Sequence, residues 1–255
     1  MTRLQASLQQ TIGLLLSLLV YYRPRSRGHS LRRLYAPFIR RGDLCFDVGA
    51  HVGSRTRSWI DLGARVVALE PHPGCMRWLR ILYGRHKRVV LVEKAVGPEP
   101  SLQTFWMSRL NPSVSSLSRT WIESVRRSRG FASVEWQEQT LVEVTTLDAL
   151  IQHYGLPAFC KIDVEGSELS VLHGLSRPLK ALSFEYIPAA VGTALACIDR
   201  LADLDEYEFN WSVGESARLG SAEWSGPQAI AARLVELPRE GRSGDIYARR
   251  KKPDS

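Results

Sequence analysis

An α/β fold, a mostly parallel sheet of seven strands with helices on both faces, is what this sequence predicts. Three observations carry that reading. From Leu44 onward, short apolar runs rich in Val, Ile and Leu alternate with amphipathic segments of helical period, as βαβ units do. The first run ends in a glycine turn, Asp47-Val48-Gly49-Ala50-His51-Val52-Gly53, that leads directly into a helix-compatible segment at Ser54. The length, 255 residues with 44% hydrophobic content, suits one sizeable core and a modest appendage rather than two large domains.

Residues 1–42 form the appendage. Leu4 to Tyr22 carries no charge, but Gln5, Gln9 and Gln10 interrupt its first half. The continuous apolar run, Ile12 to Tyr22, is shorter than the roughly 20 residues that span a bilayer. No small-residue cleavage site precedes Arg23-Pro24, which argues against a secretory signal. The expectation is a helix docked on the domain. The alternative is an interfacial helix with Tyr21, Tyr22 and Arg23, Arg25 and Arg27 at headgroup level. Pro24 to Gly28 reads as a linker, and Leu31 to Ile39 as a second amphipathic helix before the turn Arg41-Gly42-Asp43.

In the main domain, 43–255, strands are expected at 44–48, 65–70, 88–96, 159–163, 181–187, 207–213 and 245–249. Helices fit at 54–62, 73–83, 147–154, 167–175, 193–205 and 227–236. The stretch 101–146 breaks this rhythm. Leu102–Met107 and Val134–Thr145 look like β segments around a Ser-rich loop, 111–118, and a basic helix-like piece, 119–129. An insertion at this point is a natural substrate cover.

The glycine turn offers free backbone angles and close ligand approach, and the helix start behind it offers unpaired N–H groups. It is not a P-loop, because Gly53 is followed by Ser54-Arg55 rather than Lys-Ser/Thr, and its glycine spacing is not that of a dinucleotide fingerprint. A plain glycine turn of an α/β domain is the competing reading. Glu70, 21 positions after Gly49, closes the second strand. A carboxylate there can accept both hydroxyls of a ribose and would repel a nearby phosphate. Ala95 and Val96, ending the third strand, can offer apolar surface to an adenine. Further on, Asp163 and Glu165 emerge where the fourth strand ends, and Glu185 where the fifth ends. Ligands of open α/β sheets bind outside the carboxyl ends of the strands, so these acids are expected in one crevice with Asp47 and Glu70. Glu168 sits in a first helical turn, where a negative charge favours the macrodipole.

Taken together, Asp47 to Gly53, Leu69-Glu70-Pro71-His72-Pro73, Thr146-Leu147-Asp148-Ala149-Leu150 and the Lys161 to Glu168 segment, with Leu172-His173-Gly174-Leu175, resemble the FkbM-type family of S-adenosylmethionine-dependent methyltransferases. The resemblance covers about residues 43 to 187, and Lys161-Ile162-Asp163-Val164-Glu165-Gly166 is its most specific part. It implies a class I methyltransferase, Rossmann-like fold and methyl transfer, most commonly to oxygen. It also implies S-adenosylmethionine as cofactor, with Asp47, Gly49, Gly53 and Glu70 around it; Ala50, His51, Pro71, Ala95, Val96 and Asp163 are expected beside them in the same cofactor site. His51 departs from the family pattern, which often has Asn there. The expected catalytic group is Asp163 as proton acceptor, helped by Glu165 or Glu185. Asp163 holding the cofactor's amino group is the alternative, and Mg²⁺ between Asp163 and Glu185 is a further one, although no metal site is assigned.

Charge narrows the partners. Residues 1–42 hold eight Arg and no acid, residues 43–238 hold 20 basic against 23 acidic, and residues 239–255 hold six against three. A slightly acidic body argues against nucleic acid, which needs clustered positive charge on the domain itself. The expected acceptor is a hydroxyl of a sugar or sugar-bearing small molecule or glycan. The alternatives are N-methylation of a small amine or protein, and a non-enzymatic membrane-associated binding module. Cys45, Cys75, Cys160 and Cys197 lack paired spacing and read as reduced thiols of a cytoplasmic protein, with peripheral membrane contact through residues 1–28 as the variant.

Overall fold

The computed structural model describes residues 3–22, 25–238 and 241–251. Its centre is a seven-stranded sheet of β1 (Leu44–Val48), β2 (Arg65–Leu69), β3 (Val89–Val92), β7 (Phe159–Ile162), β8 (Ala181–Tyr186), β9 (Tyr207–Trp211) and β10 (Gly244–Arg250). The order is β3-β2-β1-β7-β8-β10-β9, parallel except for β10, which runs antiparallel between β8 and β9. The expected mostly parallel sheet is present, and apart from the third strand the strand ends agree with the expectation to within two residues.

The period-2 alternation of each strand splits the core into two layers. Phe46, Val48, Val67, Leu69, Cys160, Ile162, Leu182 and Phe184 face one side. There they pack on α6 (Leu147–Tyr154), α7 (Glu168–His173), α8 (Val191–Leu204) and α9 (Pro227–Val235). Cys45, Val66, Ala68 and Phe159 face the other, against α2 (Arg25–Tyr35), α3 (Ser54–Asp61) and α4 (Pro73–Tyr83). Local chemistry starts these helices. The His72 ring nitrogen caps α4 by accepting from the Gly74 and Cys75 N–H groups, with Pro73 in the first turn, and the Thr146 hydroxyl caps α6 by accepting from Ala149 N. All four cysteines are free and buried.

Three expectations need correction. The run 88–96 is not one strand: β3 pairs with β2 in the main sheet, whereas β4 (Ala95–Val96) pairs with β6 (Glu138–Thr145) in a second, three-stranded sheet of order β4-β6-β5, where β5 is Ser101–Met107. Exposed Glu93 and partly exposed Lys94 mark the handover. The linker expected at 24–28 is too long, because α2 already begins at Arg25; Pro24 lies outside the described residues. The basic piece 119–129 is helical only as α5 (Arg119–Val125). The N-terminal helix, α1 (Arg3–Tyr22), is docked as expected: Leu14 and Ser17 are buried, and Leu14 lies against Gly74 of α4.

Candidate active site

The carboxyl ends of β1, β2, β7 and β8 open into a cavity of about 340 Å³. Its floor is the glycine turn. Gly49 has φ 82°, and a Cβ there would lie 1.8 Å from the Asp163 carbonyl oxygen. Glycine is therefore required by the close approach of β7, not by a ligand. Asp47, buried at the end of β1, accepts from the backbone N–H (3.0 Å) and hydroxyl (2.5 Å) of Thr56, so it ties the strand to the first turn of α3. Burial raises the Asp47 carboxyl, against the opposing pull of the Thr56 hydroxyl and Lys161. Gly53 is the one expected cofactor residue outside the cavity lining; it precedes α3 with φ 83° and its carbonyl accepts from the Tyr83 hydroxyl.

Glu70 lines the cavity and is spent on the loop as well. Its two oxygens accept the backbone N–H groups of His51 (2.7 Å) and His72 (2.8 Å), leaving further lone pairs for a ligand. Burial pushes its carboxyl up to about 7, with the two N–H bonds opposing. His51 sits at φ 50° on the same turn, and burial lowers its imidazole to about 4, so it faces the cavity neutral. Ala50, Pro71, Ala95 and Val96 complete this end of the lining, as expected.

At the other end Asp163, Glu165 and Glu185 converge, each offering a carboxylate oxygen within 4.8 Å of the others. Burial first, and the neighbouring carboxylates second, raise Glu165 and Glu185 well above the ordinary carboxylate range. Glu185 Oε2 is buried with no hydrogen-bond partner among the described residues. Asp163 differs, because the Lys161 ammonium donates to its Oδ2 at 2.5 Å. Such a trio is a donor set that a hard divalent cation could take. Glu168 instead accepts the backbone N–H groups of Val164 and Gly166, which shapes the turn carrying Glu165 at φ 52°.

Lys161 is the chemistry the motif reading passed over. It is 2% exposed and lies between Asp163 and Asp245, the latter at 3.5 Å. Burial pulls its ammonium down, but the two carboxylates outweigh it and the net shift is upward. Asp245 in turn lies 4.0 Å from Arg55, which pairs with Glu215 at 2.8 Å, so a charged line runs under the cavity from β7 to the loop after β9. A lysine in the middle of the apolar run Phe159-Cys160-Lys161-Ile162 was the available signal, since such a charge must be buried with a partner. Arg55 and Glu215 had no comparable local signal. The 101–146 segment supplies the wall opposite the sheet through Phe105, Pro112, Val114, Leu117 and Phe131. The Ser116 hydroxyl holds it to the acid cluster by donating to the Glu165 carbonyl at 2.6 Å.

A model of the FkbM methyltransferase domain matches residues 47–193, more than half of the chain. The chain belongs to the FkbM methyltransferase family. The FkbM match spans the glycine turn, Glu70, the acid cluster and the 101–146 segment, and leaves the appendage and β10 outside. A seven-stranded, mostly parallel sheet in an FkbM methyltransferase domain is the Rossmann-like, class I methyltransferase fold that the resemblance implied. No curated protein matches the chain in a sequence comparison. Solved structures similar to this FkbM chain include the O-methyltransferase from Bacillus cereus in complex with SAH (13% identity, 98% of this chain and 92% of that one, TM-score 0.48). Another is precorrin-6y C5,15-methyltransferase from Geobacter metallireducens (13% identity, 88% and 87%, TM-score 0.47). At these scores the likenesses carry no argument about the site.

Proposed function

We propose that the protein transfers the methyl group of S-adenosylmethionine to a hydroxyl of a sugar or sugar-bearing small molecule. The observation that carries this reading is a single cavity joining a nucleoside-type end, Glu70 with the Gly49 turn, to a proton-accepting end, the Asp163–Glu165–Glu185 cluster. The first end fits the cofactor by its donor chemistry. Glu70 keeps lone pairs for ribose hydroxyls, and Ala95, Val96 and Phe105 give apolar surface for a base. The volume lies in the range of small-molecule sites. S-adenosylmethionine, when bound, supplies a methyl already activated by its sulfonium.

The chain's own residues then hold the acceptor oxygen in line and take its proton. Asp163 is the acid of the trio that the Lys161 ammonium touches, and it is the proposed proton acceptor. Glu165 and Glu185, raised by burial and by the neighbouring carboxylates, flank it and help place the acceptor oxygen. Alignment contributes about 7–11 kcal/mol of the barrier, against roughly 10²–10⁴ in rate from the base, so positioning dominates.

Calorimetry with S-adenosylmethionine, followed by methyl transfer to hydroxyl and amine acceptors, tests the reading. Asp163→Asn is expected to lower turnover about 100-fold or more while changing cofactor affinity only a few-fold. Turnover within a few-fold of the parent removes Asp163 as base. Loss of activity in EDTA, restored by Mg²⁺, favours the metal alternative, and transfer to amines alone overturns the hydroxyl acceptor.

A further inference from the structure

One element stands apart from the site chemistry. Helix α1 is apolar on two opposite sides. Its inner side is fastened to the domain: a Cβ on Gly13 would lie 2.5 Å from the Arg109 carbonyl oxygen and 2.8 Å from that of Leu110, so the helix backbone lies directly on that loop. Its outer side presents Ile12, Leu15, Leu16 and Leu19, exposed by 40%, 46%, 52% and 53%. Their spacing, i, i+3, i+4, i+7, makes one continuous stripe. A stripe of four large aliphatic side chains on one face of a helix is a surface kept for a partner.

We infer that this stripe docks on the surface of an anionic lipid bilayer, beside the mouth of the cavity. Three observations select that occupant. No helix among the described residues is long and apolar enough to cross a membrane, so the contact is interfacial. The stripe is followed in the sequence by Tyr21, Tyr22 and Arg23, Arg25 and Arg27, within a segment of eight Arg and no acid, whereas residues 43–238 hold more acids than bases. An apolar helix face beside clustered cations is what anionic headgroups over acyl chains accept. A second copy of the chain, the other occupant an exposed helix face can take, is an outcome of the test below.

The position of the stripe gives the docking a purpose. Arg109 and Leu110, against which α1 lies, lead into the short 3₁₀ turn Pro112–Val114, and all three residues of that turn line the cavity. Seating the outer face of α1 on a lipid surface places the loop that leads to this rim behind the helix, one helix diameter, ~10 Å, from the headgroups. The inference rests on the helix alone and stands whether or not the cavity transfers methyl groups.

Vesicle flotation of the full chain tests it. The protein should float with phosphatidylcholine vesicles containing phosphatidylglycerol, less with phosphatidylcholine alone, and less as salt is raised. Leu16→Glu/Leu19→Glu should weaken the binding at least tenfold with an unchanged melting temperature, because both positions face solvent. Ile12→Ser/Leu15→Ser serves as an independent second variant with the same expectation. Absence of the parent protein from anionic vesicles, or undiminished binding by both folded variants, overturns the inference. So does light scattering that shows a dimer dissolved by these substitutions without vesicle binding, which makes a second copy the occupant.

Discussion

At the β1 end of the cavity both carboxylates are met by protein donors: Glu70 holds two backbone N–H groups, and Asp47 holds the N–H and hydroxyl of Thr56. At the β7 end three carboxylates crowd within 4.8 Å, and among the described residues one of them has a buried oxygen without a protein partner and a single lysine faces the group. The first end is finished before any ligand arrives. The second keeps its polar capacity for something that comes later, and holds its acids together against their mutual repulsion. A preorganised end and an unsatisfied end are thus built from the same residue types, distinguished by who supplies the hydrogen bonds.

The largest expected effect breaks both ends together. Gly49→Ala sets a methyl against the Asp163 carbonyl and forces a side chain into φ 82°, so a loss of about 3 kcal/mol or more is expected, read as a collapse of the melting temperature. A folded variant of parental stability would show that the two ends are not locked through this glycine. Next comes Lys161→Met, which leaves Asp163 without the ammonium that donates to it and Asp245 with Arg55 as its remaining cation. The side chain of Asp163 is one-third exposed, so the expected cost is near the lower limit of the ~3–5 kcal/mol that breaking a buried pair brings. A change below about 1 kcal/mol in chemical denaturation would demote Lys161 to a bystander.

Smaller effects separate the ends. Glu70→Gln replaces an acceptor oxygen by an NH₂ group that faces a backbone N–H, and affinity for S-adenosylhomocysteine should fall about tenfold. Unchanged affinity in calorimetry would take Glu70 out of the cofactor end. The same residue predicts a pH dependence. Burial raises its carboxyl from 4.5 to about 7, so the folded protein holds a proton through that window and stability falls as pH rises across it. Ribose hydroxyls donate to the ionised form, so binding should release a proton and tighten as pH rises through about 7. Calorimetry in buffers of different ionisation heat reads the proton, and proton uptake would contradict the assignment. The smallest effect on the cofactor should come from Phe131→Ala, in the wall given by the 101–146 segment. Cofactor affinity should stay within about twofold while the KM for the acceptor rises. A shift in cofactor affinity alone would move that wall to the nucleoside end.

Much of this was legible in the sequence because it is local. Alternating strands, helical periods and the Thr146 cap each have a signature within a few residues, and the acids that end successive parallel strands must meet in one crevice once the sheet is parallel. The exceptions are decided far away. Within Val89 to Val96 only Glu93-Lys94 interrupts the apolar run, and that pair does not say which sheet follows; the second half leaves β2 because β6, about fifty residues on, offers it a partner. Gly49 looked like a ligand's glycine and is shaped by the Asp163 carbonyl. Glu70 looked like a ribose acceptor and is also the clamp of its own turn. Arg55 and Glu215 entered the site through a pairing across 160 positions, which no local pattern encodes.

The charged line under the cavity also has a history within each synthesis of the chain. Lys161 and Asp163 lie two residues apart and emerge together, but Asp245 stands on β10, the last of the seven strands to be made, which slots between β8 and β9. Until then the sheet lacks an inner strand, and Lys161 must pair with Asp163 alone or stay in water. Domains generally assemble as units while the ribosome delivers them from the N-terminus. Closing the floor of this cavity is therefore a terminal event of production, and a stalled or shortened chain would carry every residue of the FkbM match and still lack the counter-ion that keeps its buried lysine in place.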